Sequence, residues 1–125
     1  MQLGLEGAWV PVSANVAGKD LLVDELRVKY LVFDSGGYSI VDRTHHIVDS
    51  GEYLVDEAAS PQTMDIVGRT GPNAGRTMRA IYELHADRLT VCYDLDGKER
   101  PSGMKPEGDQ LLLSITYTRA LTLLS

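Results

Sequence analysis

The sequence predicts an all-β fold: a small up-and-down antiparallel β-barrel of about eight strands, with one short helix after the first strand. Three observations carry this. Apolar and polar residues alternate with period two through most of the chain. Turn signals rich in Gly, Asp, Asn and Pro separate those runs at short intervals. Only Asp20 to Leu26 has helical spacing. A chain of 125 residues makes one domain, residues 1–125, because a single core of that size buries roughly two thirds of the unfolded surface.

The first strand is expected over Glu6 to Ala14, around Trp9, Val10 and Val12. Pro11 has no N–H to give to a ladder, so it belongs at an edge, a strand end or a bulge. Asn15 to Lys19 reads as a turn. Asp20 to Leu26 reads as one or two helical turns, with Asp20 as the cap and Leu22 and Leu26 four apart, a lid or plug for the barrel. From Arg27 the period becomes two. Val28, Tyr30 and Val32 share one face, and Leu31 and Phe33 share the other.

Asp34-Ser35-Gly36-Gly37 supplies the positive φ angles of a tight hairpin, and Tyr38 to Thr44 returns antiparallel. Ile47 to Val55 follows, with a bulge or short turn expected at Asp49-Ser50-Gly51. Glu57 to Gln62 is a polar loop, Thr63 to Val67 alternates again, and Gly71-Pro72-Asn73-Ala74-Gly75 is a loop. Thr77 to His85 and Arg88 to Asp94 carry the clearest alternation, joined by Ala86-Asp87. Asp96 to Asp109 is a long loop of the kind that is often functional. Leu111 to Leu121 is the closing strand. Closure leaves no free sheet edge; a flattened two-sheet sandwich is the competing packing.

Charge and cysteine content exclude several functions. Eighteen acidic against twelve basic residues give a net charge of −6, which repels phosphate backbones, and the basic residues are scattered, so no nucleic-acid partner is expected. The single cysteine, Cys92, has no partner for a disulfide or a Cys-x-x-Cys site and reads as a strand packing residue. The apolar runs fall well short of the ~20 residues that cross a bilayer as a helix. Met1 to Val16 holds Gly4, Glu6, Gly7, Pro11 and Asn15, which breaks any signal-peptide pattern. The chain as it stands therefore reads as soluble and cytoplasmic.

Catalytic patterns are weak. His45 and His46 are adjacent, so in extended chain they point to opposite faces and do not share a metal; a site joining either to Asp49 or His85 ranks below simple solvation. Asp24-Glu25 and Asp56-Glu57 read as a helix face and a loop, not as an acid/base pair. No Gly-x-Ser-x-Gly is present, and Gly71 to Gly75 lacks the Lys-Ser/Thr and helix of a phosphate loop. Lys98, Arg100 and Lys105, around Pro101 and Pro106, are candidates for binding an anion at the barrel mouth, but Glu99, Glu107 and Asp109 dilute that field. We expect no enzyme, no cofactor and no metal.

The strings Gly7-Ala8-Trp9, Gly71-Pro72-Asn73-Ala74-Gly75-Arg76-Thr77, Ala80-Ile81-Tyr82-Glu83-Leu84, Leu89-Thr90-Val91-Cys92-Tyr93 and Gly97-Lys98-Glu99-Arg100-Pro101 resemble a bacterial lipocalin-like domain of unknown function. That family is expanded in planctomycetes. The resemblance runs in order along nearly the whole chain; between Ala14 and Gly68 it lies mainly in pattern. It implies a calycin-type barrel and supplies no catalytic residue. In the wider lipocalin group the Trp of Gly-x-Trp closes one end of the barrel beneath an Arg of the last strand, which points here to Trp9 and Arg119. Such a contact contributes on the order of 0.5–2 kcal/mol.

Three functions follow, in order of preference. The first is binding of a small apolar or amphipathic molecule inside the barrel. Its candidate lining is Tyr30, Val32, Tyr38, Ile40, Tyr53, Met78, Tyr82, Val91, Tyr93, Leu113 and Ile115, although alternation alone leaves inward and outward faces open. The second is a structural or protein-interaction module with a filled core and no ligand, in which apolar residues on both faces, such as Leu112 beside Leu113, serve helix cover or a homodimer surface. An enzyme comes third.

Overall fold

The computed structural model describes residues 4–96, 99–104 and 111–120. Its elements in chain order are β1 (Gly7–Val16), β2 (Lys19–Leu21), α1 (Val23–Leu26), β3 (Tyr30–Asp34), β4 (Gly37–Val41), β5 (Ile47–Asp56), β6 (Gln62–Thr70), β7 (Thr77–His85), β8 (Arg88–Asp94) and β9 (Leu112–Arg119). Each strand from β3 onward pairs with its sequence neighbour, and β9 returns to β1, which closes an eight-stranded antiparallel barrel of β1 and β3 to β9. The short β2 is an extra strand on the far end of β1.

The seam pairs Trp9 with Arg119, Ala14 with Ile115 and Val16 with Leu113. Between Pro11 and Ser13 its register slips by one, leaving Val12 43% exposed. Pro11 sits where its missing N–H costs little: beside the bulge and beyond the last β1–β3 pair, Trp9 with Leu31. Because β3 pairs only with Gly7 to Trp9, the two strands part beyond that point. Helix α1 packs against β1 there, and Leu21 and Leu26 lean on the core.

The expected helix from Asp20 is shorter and later. Ala17 and Gly18 turn the chain with φ of 52° and 85°, folding residues 19–21 back onto β1, where Asp20 pairs with Asn15. Ladder hydrogen bonds there replace a helical turn, and one turn of helix is marginal by itself. Leu22, which makes no side-chain cap bond, precedes α1, and Arg27 ends it with a left-handed φ of 56°. The β3–β4 turn does take positive φ at Ser35 and Gly36, matching the right-handed twist of the strands it joins.

The barrel has a packed half and a hollow half. In the packed half Trp9, Met64, Leu89 and Val91 are fully buried, and Phe33 is 1% exposed. The Arg119 guanidinium lies 4.3 Å from the Trp9 ring centre and closes that end. It donates to the carbonyls of Gly4 and Glu6, each at 3.0 Å, and to Asp87 at 3.1 Å. The indole N–H donates to the Leu5 carbonyl at 2.9 Å.

Apolar residues on the outer face of β7 to β9 are covered by the chain itself. Ile81, Cys92 and Leu112 form a second buried cluster under Met104. The strap that carries Met104 is fastened at Asp94, whose carboxylate accepts the Asp96 and Glu99 backbone N–H groups at 3.1 and 2.8 Å. Arg100 reaches across to Asp65 at 2.6 Å and to the Ala80 carbonyl at 2.9 Å. Burial raises the Cys92 thiol pKa, in keeping with a packing role. Leu112 is therefore covered by the chain's own strap. Arg100 is fastened to the barrel wall; Lys98, Lys105 and Pro106, named with it as an anion site, lie outside the described residues.

Candidate functional site

The end opposite Trp9 is bordered by the Ala17-Gly18 turn, α1, the turn at 42–46 and the loop at 71–75. It holds a cavity of about 210 Å³. Ile40, Met78 and Leu113 point inward there yet stay partly exposed, because no side chain fills the space beside them. Leu26 and Val28 mark the mouth. The floor is Leu31, Ile66, Ile115, Tyr93 and Tyr117.

One charged side chain lines this space. Asp49 is only 4% exposed, and a slip in strand register puts it inside. Val41 pairs with Ile47, but Ile40 pairs with Asp49, so Val48 is an extra residue in β5. A regular ladder would place Val48 opposite Ile40 and turn Asp49 to solvent; one added residue inverts the two. Tyr38 lies on the same inner face and donates to Asp49 Oδ1 at 3.0 Å.

The second donor comes from the Gly-Pro-Asn-Ala-Gly loop. Asn73 Nδ2 donates to Asp49 Oδ2 at 2.7 Å. The loop comes this close because Gly68 of β6 has no side chain: a Cβ there would stand 2.0 Å from the Asn73 carbonyl oxygen. On the neighbouring strands, Gly51 of β5 pairs with Tyr38 of β4, and a Cβ on Gly51 would stand 2.0 Å from the Val67 carbonyl oxygen and 2.9 Å from the Tyr38 ring. Both glycines are thus required by close approach, not by turn geometry.

The remaining polar atoms in the cavity are the phenols of Tyr93 and Tyr117, whose oxygens are 3.1 Å apart. Burial pushes the Tyr93 phenol up to about 12, the hydrogen bond with Tyr117 acting the other way. Burial also holds Tyr117 well above 10.0. Tyr38 is raised as well, first by burial and then by its bond to the Asp49 carboxylate. These phenols stay neutral donors through the physiological range. The wall is thus largely aliphatic, with a carboxylate, an amide and three phenols as its polar points.

The sequence-derived lining residues divide into three groups. Tyr38, Ile40, Met78, Tyr93, Leu113 and Ile115 border the cavity. Tyr53, Tyr82 and Val91 belong to the packed half; the Tyr53 ring lies 4.5 Å from that of Phe33, and its hydroxyl donates to Glu6 at 2.6 Å. Tyr30 and Val32 are corrected: they stand on the outer face, because Leu31 and Phe33 are the buried residues of β3 and the pleat sends their neighbours outward. Lys29 Nζ lies 5.5 Å from the Tyr30 ring centre on that face.

Leu26, Val28, Leu31, Asp49, Ile66, Asn73 and Tyr117 line the cavity without having been singled out for it. Tyr117 was within reach, since it shares the alternation of Leu113 and Ile115. Asp49 was not, because Asp-Ser-Gly reads as a turn.

The histidines are separate from this site. His45 Nε2 is 3.2 Å from Lys29 Nζ, and His46 Nδ1 is 2.7 Å from Thr44 Oγ1. Exposed His85 sits 3.9 Å from Glu83. Among the described residues no three His, Cys, Asp or Glu side chains gather as metal ligands, and no helix is long and apolar enough to cross a membrane. A larger, open groove of about 520 Å³ lies outside the barrel, between residues 59–62, β7 and Ser102 to Met104; among the described residues no buried charged group lines it. No family model, curated protein or solved structure matches this chain.

Proposed function

We propose that this chain is a lipocalin-like, non-catalytic binding domain that takes a small apolar or amphipathic molecule into the hollow half of its barrel. The observation that carries this reading is the contrast between the two halves. Trp9, Phe33, Met64, Leu89 and Val91 are buried at one end, while the same strands a few residues on leave about 210 Å³ open. Leaving that space unpacked forgoes contacts that a filled core would make. Larger side chains at Ile40 or Leu113 would recover some of them. The alternative is a structural or protein-interaction module with a filled core and no ligand.

The volume sets the ligand's size. It lies below the ~300–1,000 Å³ of drug-sized pockets, so the occupant is a short chain or a single small ring. The test is a titration of methyl-labelled protein with 1-pentanol, followed by NMR. Saturable shifts confined to Leu31, Ile40, Ile66, Met78, Leu113 and Ile115 are expected, and replacement of Leu113 by Phe abolishes them. Absence of saturable shifts in those methyls refutes the reading.

A further inference from the structure

We propose that the ligand of this cavity is a small amphipathic amine, whose ammonium group binds the Asp49 carboxylate while its hydrocarbon part lies against Ile40, Ile66, Met78 and Leu113. This deepens the binding reading above and rests on it. Asp49 is buried, and its two hydrogen-bond partners, Tyr38 and Asn73, are both neutral. Among the described residues, no Lys, Arg or His lines the cavity. Buried charges in proteins are ordinarily paired with an opposite charge. Here no described residue of the wall supplies the pairing charge, and the space it would occupy is open.

The local construction favours this arrangement. A carboxylate has about four lone-pair positions, and Tyr38 and Asn73 use one on each oxygen, which fixes the group and leaves acceptor capacity. Gly68 is without a side chain, which lets the loop that carries Asn73 approach. The bulge at Val48 turns the acid inward. A neutral alcohol would also donate one hydrogen bond, but it would leave the charge unpaired. An anionic ligand would be repelled. The ligand class is therefore a primary or secondary amine with a short aliphatic or single-ring body.

The experiment compares n-pentylamine with isosteric 1-pentanol by calorimetry and NMR at neutral pH, on the wild-type chain and on Asp49→Asn. The amine is expected to bind about tenfold or more tighter than the alcohol, as charge-assisted hydrogen bonding requires, and to shift the Asn73 side-chain amide. In Asp49→Asn the preference is lost while the alcohol still binds. Equal affinity for amine and alcohol, or an unchanged preference in Asp49→Asn, overturns the amine assignment and leaves the cavity reading standing. Failure of both compounds to reach the cavity methyls overturns the binding reading itself, and the amine assignment with it. If Asp49→Asn does not fold, the wild-type ratio and the Asn73 amide shift decide: a ratio near one, or no shift, refutes the proposal.

Discussion

Arg119 and Trp9 face each other across the seam where the last strand meets the first, with the guanidinium 4.3 Å from the ring centre. The Arg119 side chain is only 11% exposed, and it ties β9 to the N-terminal carbonyls of Gly4 and Glu6 and to Asp87 in the β7–β8 turn. Arg119→Ala is expected to destabilise the fold by about 2–4 kcal/mol, from the ring contact together with hydrogen bonds to a charged donor. Arg119→Lys keeps the charge but loses the planar fork, and about half that cost is expected. Denaturant unfolding checks both. A loss below about 0.5 kcal/mol for the Ala variant would remove the closed end from this account.

The five tyrosines at Tyr38, Tyr53, Tyr82, Tyr93 and Tyr117 are all raised above their ordinary 10.0, with burial as the first cause in each. In the unfolded chain these phenols ionise near 10, so above that pH the folded state binds more protons than the unfolded one. Stability is therefore full below pH 10 and falls as the pH climbs toward about 12, where Tyr93 itself titrates. Tyrosinate absorbance and circular dichroism should change together in a single alkaline transition. Tyrosinate appearing near pH 10 for all of them with the fold intact would contradict this.

At the acid side Glu6 is held below its ordinary 4.5, first by the Tyr53 hydroxyl and then by the Ser35 N–H. Its contribution is present above that value and lost as the pH falls through the lowered one. Glu6 is exposed, so the effect is small. Tyr53→Phe should move the Glu6 carboxyl resonance back toward 4.5 in an NMR titration; an unmoved midpoint would show that the Tyr53 bond is not what lowers it.

Gly68→Ala places a Cβ 2.0 Å from the Asn73 carbonyl oxygen, and backbone must move to admit it. We expect a cost of about 1–3 kcal/mol, with the Asn73 side-chain amide losing the shift that Asp49 imposes. Normal stability in Gly68→Ala would mean that the loop does not rest on β6.

Leu113→Phe fills part of the cavity. It should stabilise the protein by about 0.5–2 kcal/mol, as cavity-filling changes commonly do, while abolishing uptake of 1-pentanol. Thermal unfolding and the titration together read both effects. Destabilisation combined with retained uptake would show that Leu113 faces elsewhere.

The barrel was legible in the sequence because its signals are local. Period-two runs such as Met78 to Leu84 and Leu89 to Tyr93, separated by short turns, specify antiparallel neighbours without reference to distant residues. The site was legible only in part. Leu113 and Ile115 were named as lining, but alternation did not say which face is inward; in β3 both faces are apolar, and in the closed barrel Leu31 and Phe33 are buried while Tyr30 and Val32 are only half-buried. Asp49 was hidden for a different reason: its orientation depends on one extra residue, Val48, in the β4–β5 ladder. A register slip is a property of two strands together, and Asp-Ser-Gly looks the same in a turn. The Asp20 cap failed because β2 competed for the same backbone groups.

The most direct test of the hollow, Asp49-bearing cavity is a high-resolution crystal structure of the protein purified from its own host without organic solvent. The account predicts discrete non-protein density bounded by Ile40, Ile66, Met78 and Leu113, with one end at hydrogen-bonding distance from the Asp49 carboxylate. Side chains collapsed into that space, with Asp49 turned outward to solvent, would contradict it.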